Sequence, residues 1–158
     1  MGSLLAPLEL MTATAAQAQE KLLGASRGSF NLQSIAGFLA AGDADVSAGD
    51  LPAAQENYDN ARNIARSLIA FYRDLGKAFR GRDARIPREM GAKGRQALRY
   101  QAEANLRLAA AYRSQDQPEV AVPLLVEVIR IMSPTSEEGR QAWQGLLEIG
   151  FVTSEFSG

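Results

Sequence analysis

The chain has 158 residues, 46% apolar and 22% charged, with 17 Lys plus Arg against 18 Asp plus Glu. That predicts one globular domain large enough to bury a core, without the bulk charge of a nucleic-acid-coating polyelectrolyte. It has no His and no Cys, which excludes Ser-His-Asp and Cys-His catalysis, imidazole or thiolate zinc sites, haem and iron-sulfur ligation, and every disulfide framework.

Residues 4 to 18, LLAPLELMTATAAQA, end in Ala16-Gln17-Ala18. That ending resembles a secretory cleavage site, although no basic region precedes it and Glu9 interrupts the apolar stretch. The other reading of residues 1–30 is an N-terminal helix with Leu8, Met11, Ala15, Ala18 and Leu22 on one face, stopped at Gly24. The first reading implies export to a periplasm or thylakoid lumen. The second favours a cytoplasmic or stromal location, or a membrane-peripheral one.

Residues 31–158 read as one helical domain. Over 31–49, Leu32, Ile35, Phe38, Leu39 and Val46 share a helical face, and Gly49-Asp50 ends the pattern. Asp50 is placed to cap the next helix, with Pro52 in its first turn. Between Ala53 and Leu75 there is neither Gly nor Pro, so one helix is expected over about 52–80, roughly 40 Å long. A breaker zone is expected over 81–94, which contains three Gly and Pro87, and then an Ala- and Leu-rich helix to about 114. Asp116 and Pro118 repeat the start chemistry of Asp50 and Pro52, and Pro123 is expected to kink or delay the helix they open. After Ser133-Pro134, a last helix offers Trp143, Leu146, Leu147 and Phe151 as a docking face. No stretch alternates with period two for long enough to make a sheet, so the fold class is all-α.

An internal repeat is present. Counting from Gly49, Ala54, Tyr58 and Ala61 stand five, nine and twelve residues on; counting from Asp116, so do Ala121, Leu125 and Val128. Gly42 and Ala109 each precede their turn by seven residues. The pattern resembles the tetratricopeptide repeat, which implies a short array of antiparallel helical hairpins, with small residues where paired helices touch and a groove on the inner side. The units are 67 residues apart, nearly twice the roughly 34-residue period. A degenerate middle unit would use Tyr72, Leu75, Gly76 and Phe79 well but Arg88, Ala92 and Arg95 poorly. Long central helices formed by fusion are therefore preferred to three stacked hairpins. FYRDLGKAFRGRDARIPREMGAKGR also resembles small repeat proteins of cyanobacteria and chloroplasts. Large residues at Trp143 and Leu147 make the last helix a capping helix rather than another repeat.

Charge is segregated along the chain. Residues 1–61 hold 2 basic and 7 acidic residues, 62–99 hold 11 and 3, and 100–158 hold 4 and 8. Arg73, Lys77 and Arg80 fall on one helical face, and Arg82, Arg85, Arg88, Lys93, Arg95 and Arg99 continue the island. The resemblance implies that Arg73, Lys77 and Arg80, with Arg113 in the last unit, line a groove suited to an acidic partner segment. The Asn residues do not match the family's carboxylate clamp, so only an anionic ligand is carried over. The competing reading is that these cations lie over apolar surface and pair with Asp59, Asp74, Asp83 and Glu89, or with the acidic ends of the same chain. Nucleic acid is disfavoured, because Phe71, Tyr72, Phe79 and Tyr100 sit at core spacing and make no stacking platform.

GDADVSAGD over 42–50 fails as a calcium loop: Ala48 replaces the required Gly and Ala54 the closing Glu. GAKGR and GKAFRG lack phosphate-loop spacing. The chain is thus expected to be a non-catalytic interaction or scaffold module binding a partner protein through a groove with a basic patch, with no cofactor and no metal. The alternative is a structural or assembly subunit of a membrane-associated complex, its cations meeting acidic lipid or an acidic subunit.

Overall fold

Asn31 opens the first helix with a reciprocal cap: its side-chain oxygen accepts from the Ser34 N–H at 2.9 Å, and Ser34 Oγ accepts from the Asn31 N–H at 3.2 Å. The computed structural model describes residues 29–158. They form α1 (Leu32–Ser47), α2 (Leu51–Ala78), α3 (Arg85–Ser114), α4 (Pro118–Met132) and α5 (Glu137–Ile149). Residues 1–28, and with them the leader and N-terminal-helix readings, lie outside the described residues. The described part is all-α, with no strand and no helix long and apolar enough to cross a membrane.

Two of the turns are the same turn, 67 residues apart. After α1, the N–H groups of Gly49 and Asp50 donate to the carbonyls of Val46 and Asp45; after α3, those of Asp116 and Gln117 donate to Arg113 and Tyr112. Each pair is a Schellman closure around one left-handed residue, Gly49 at φ 78° and Asp116 at φ 57°. Asp50 caps α2 as expected, accepting from the Ala53 N–H at 3.1 Å. Asp116 does not cap α4: it holds the left-handed position, and Gln117 precedes the helix without a side-chain cap. Pro118 stands in the first turn, and α4 continues through Pro123 with no delayed start.

Successive helices pack on one another, and α3 also meets both α1 and α5, so the odd-numbered helices share one layer. Ala54, Tyr58, Ala61, Ala121, Leu125 and Val128 are all buried. Gly42 is required at the α1–α2 contact, because a Cβ there would run into the Tyr58 ring. Val46, expected in the core, is 44% exposed because it lies in the last turn of α1. In α5, Ala142 and Leu146 are buried and Trp143 is partly buried, its Nε1–H donating to the Ser154 carbonyl at 3.0 Å. The C-terminal tail thus folds back along α5. Phe151 does not dock: it follows the left-handed Gly150 and is 60% exposed.

The largest departure from expectation lies at 81–94. Arg85 already starts α3, so the break shrinks to the turn after Phe79. Pro87 sits in the first turn, where the N–H has no partner within the helix anyway. Gly91 and Gly94 are simply carried inside the helix. The outcome is two long central helices: α2 has 28 residues and α3 has 30, against 16, 15 and 13 for their neighbours. Between Leu68 and Ala97 no residue is fully buried. The ends of α2 and α3 therefore project from the body as a two-helix arm.

Candidate functional site

The arm is amphipathic in an unusual way, with an apolar seam edged by cations. On one side of the hairpin, Ile69, Tyr72 and Gly76 of α2 face Met90, Gly94 and Leu98 of α3 across a groove of about 430 Å³. Glycine keeps its floor low: a Cβ on Gly76 would stand 3.5 Å from that of Met90. Arg73 and Lys77 of α2, with Arg80 just past its C-cap, lie along this groove, and Arg95 answers them from α3. Arg95 lines the groove although the resemblance points only to Arg73, Lys77, Arg80 and Arg113. The seam's α3 half recurs every three to four residues, a signal hidden by reading 81–94 as a break.

Arg82 and Arg85 sit at the exposed tip, with Arg88 in the first turn of α3. Arg85 grips Asp83 at 2.7 Å, which holds that carboxyl below its usual range. Arg73 meets Asp74 at 3.2 Å, and Lys93 meets Glu89 at 2.6 Å. Among the described residues, six cations have no carboxylate within ion-pair distance, and five of them, Lys77, Arg80, Arg82, Arg88 and Arg95, are on the arm. The local pairing expected with Asp74, Asp83 and Glu89 does form, but it leaves five of the arm's eight cations, Arg73 to Arg95, without a counter-charge.

Arg113 is elsewhere. It lies near the opposite end of α3, roughly 37 Å along the helix from Arg88, and donates to Glu148 of α5 at 2.6 Å. It belongs to the contact between α3 and α5, not to the arm. The other expectation to be revised is that basic island and inner groove coincide. The layer of odd-numbered helices does carry a cleft, about 890 Å³ between α3 and α5, but its charge is mixed. Arg107 holds Asp43 of α1 at 2.9 Å and Glu103 at 3.4 Å, and Arg99 holds Glu138 at 3.4 Å. Burial, the largest influence, opposes the charge on Arg107, but the hydrogen bond to Asp43 together with the charges of Asp43 and Glu103 leaves the guanidinium pKa raised. Asp43 also accepts from the Tyr58 hydroxyl at 2.7 Å; burial first, and this bond second, push the phenol pKa well above its usual value. The cleft is an internally neutralised surface. The arm is not.

No group of three or more Asp, Glu, His or Cys side chains is placed to hold a metal ion among the described residues. No family model matches the chain, and neither a curated protein nor a solved structure shows significant similarity to it.

Proposed function

We propose that this chain is a non-catalytic interaction module of tetratricopeptide-like design that captures an acidic segment of a partner protein in the seam of its arm. One observation carries the reading: the unpaired cations are concentrated on the arm, and Lys77, Arg80 and Arg95 line a groove whose floor is apolar. An acidic segment with one apolar side satisfies both features, since its carboxylates meet cations that give up no existing ion pair. The tetratricopeptide-like part of the proposal draws support from the twin Schellman turns and from the six buried residues at matching offsets. The non-catalytic part draws on the absence of His and Cys from the sequence and on the ion-paired side chains that edge the cleft between α3 and α5.

The test is charge reversal at Arg73, Lys77 and Arg80 to Glu. All three are solvent-facing, so the thermal transition should stay within a few degrees of wild type, while capture of the partner from source-cell extract is lost. Capture should also weaken steeply with added salt. Undiminished capture by the folded triple variant would remove the seam from the site.

A further inference from the structure

The groove that stands open along the arm is occupied, lower down the same two helices, by α4. There α4 packs along α3 and buries Ala121, Leu124, Leu125 and Val128. From α2, Arg62 donates to its Glu127 at 2.8 Å and Arg66 stands 3.8 Å from the same carboxylate, while Gln101 and Asn105 of α3 donate from the other side at 3.3 and 2.6 Å. Both rows continue into the arm. On α2 the face of Arg62 and Arg66 goes on through Ile69, Arg73 and Lys77 to Arg80; on α3 the face of Asn105 and Gln101 goes on through Leu98, Gly94 and Gly91. α4 points toward the arm, because α2 and α3 are antiparallel, as Gly76 beside Met90 and Tyr72 beside Gly94 show, and α3 and α4 are antiparallel again, as Gln101 and Asn105 on Glu127 show. α4 ends at Met132, five residues or roughly 7.5 Å past Glu127, which is level with the start of the seam at Ile69.

We infer, resting on the seam as the site of an acidic partner segment, that this segment binds as an α-helix in line with α4, with carboxylates on its flank toward α2 and small or apolar side chains toward α3. Continuity with α4 is the first support: within this fold, the two rows already hold a helix by gripping its glutamate from α2 and packing its apolar face on α3. The second is backbone chemistry. The seam's floor is the surface of two helices whose peptide groups are already paired, so an extended segment would leave its own N–H and C=O groups without partners over apolar surface, whereas a helix pairs them internally. The third is spacing. Arg73, Lys77 and Arg80 stand at i, i+4 and i+7, rising by roughly 6 Å and 4.5 Å, the same steps as carboxylates at i, i+4 and i+7 of a helix lying alongside. On α3, the nearest atom to a Cβ on Gly94 would be the Tyr72 Cβ at 3.9 Å, and to one on Gly91 the Arg95 Nη1 at 3.5 Å. Bare backbone on that wall lets a second helix approach closely.

Two labelled peptides of one composition, each about 18 residues long, test this by fluorescence anisotropy against the full-length protein. The first carries Glu at i, i+4 and i+7 with Ala and Leu on the adjoining helical face; the second reorders the same residues so that acidic and apolar positions alternate with period two. The first should bind at least roughly tenfold more tightly than the second, and a Pro at its centre should weaken it by a similar factor. Binding should be lost in a protein carrying Lys77→Glu and Arg95→Glu whose thermal transition is unchanged. Equal or tighter binding of the alternating peptide, lost in that variant, would overturn the helix and leave the acidic-segment reading standing. Failure of both peptides to bind, or binding of the first undiminished by the two substitutions, would overturn both. The comparison of the two peptides uses the wild-type protein, so it decides the helix even where the double variant fails to fold.

Discussion

Glu127 is a carboxylate set among three helices with its side chain only 10% exposed. Arg62 of α2 donates to it at 2.8 Å, Asn105 of α3 at 2.6 Å and Gln101 of α3 at 3.3 Å, with Arg66 and Arg130 within 4 Å. Burial alone would raise its pKa, but the Arg62 and Asn105 hydrogen bonds and the Arg66 charge together leave it below the usual carboxylate value. The pair works as a clasp between α2 and α4. Glu127→Gln should cost about 3 kcal/mol in urea denaturation, because it leaves the Arg62 guanidinium partly buried without its counter-charge. The pH dependence has a definite sign. A depressed folded pKa stabilises fully above the ordinary carboxylate range and loses that stabilisation as pH falls through the folded value. Over the interval from neutral pH down through the ordinary carboxylate range and below the depressed folded value, wild type and Glu127→Gln should therefore converge in stability. A gap that stays constant over that interval would show that the charge on Glu127 is not what holds the clasp.

At the scale of elements, the arm and the body differ in what supports their helices. From Ala54 to Leu68 and from Ala97 to Ala111, buried Ala and Leu recur every three to four residues, whereas the arm has only partly buried contacts across one seam. Amides of residues 70–78 and 86–95 should therefore exchange with solvent faster than those of 58–68 and 100–111, by roughly two orders of magnitude or more in native-state hydrogen exchange. Equal protection would mean that the arm is part of the cooperative core. The length of α2 was legible in the sequence, because nothing between Ala53 and Leu75 can stop a helix. The start of α3 was not. Gly91 and Gly94 each cost about 1 kcal/mol relative to Ala in a helix, and only packing against α2, as where Met90 approaches Gly76, offsets that. Pro87 reads as a stop until its place in the first turn is known.

For the whole molecule, the charge blocks were visible along the chain but their division in space was not. The basic island of residues 62–99 divides three ways: Arg62 and Arg66 join Glu127, Arg99 joins Glu138, and only the stretch from Arg73 to Arg95 forms the arm. Linear spacing cannot show which carboxylates return from 65 residues away, as Glu127 does to Arg62. The fold consequently separates two surfaces that a repeat pattern alone would merge, a neutralised cleft on the layer of odd helices and a cationic seam on a projecting hairpin. We propose that the partner segment sits on the second. Photo-crosslinking in the source cell from a benzophenone side chain at Lys77, in the seam, and at Leu106, in the cleft, distinguishes the two. A discrete protein adduct is expected from position 77, lost on charge reversal at Arg73 and Arg80, and none from position 106. An adduct from position 106 alone would place the partner in the cleft and contradict it.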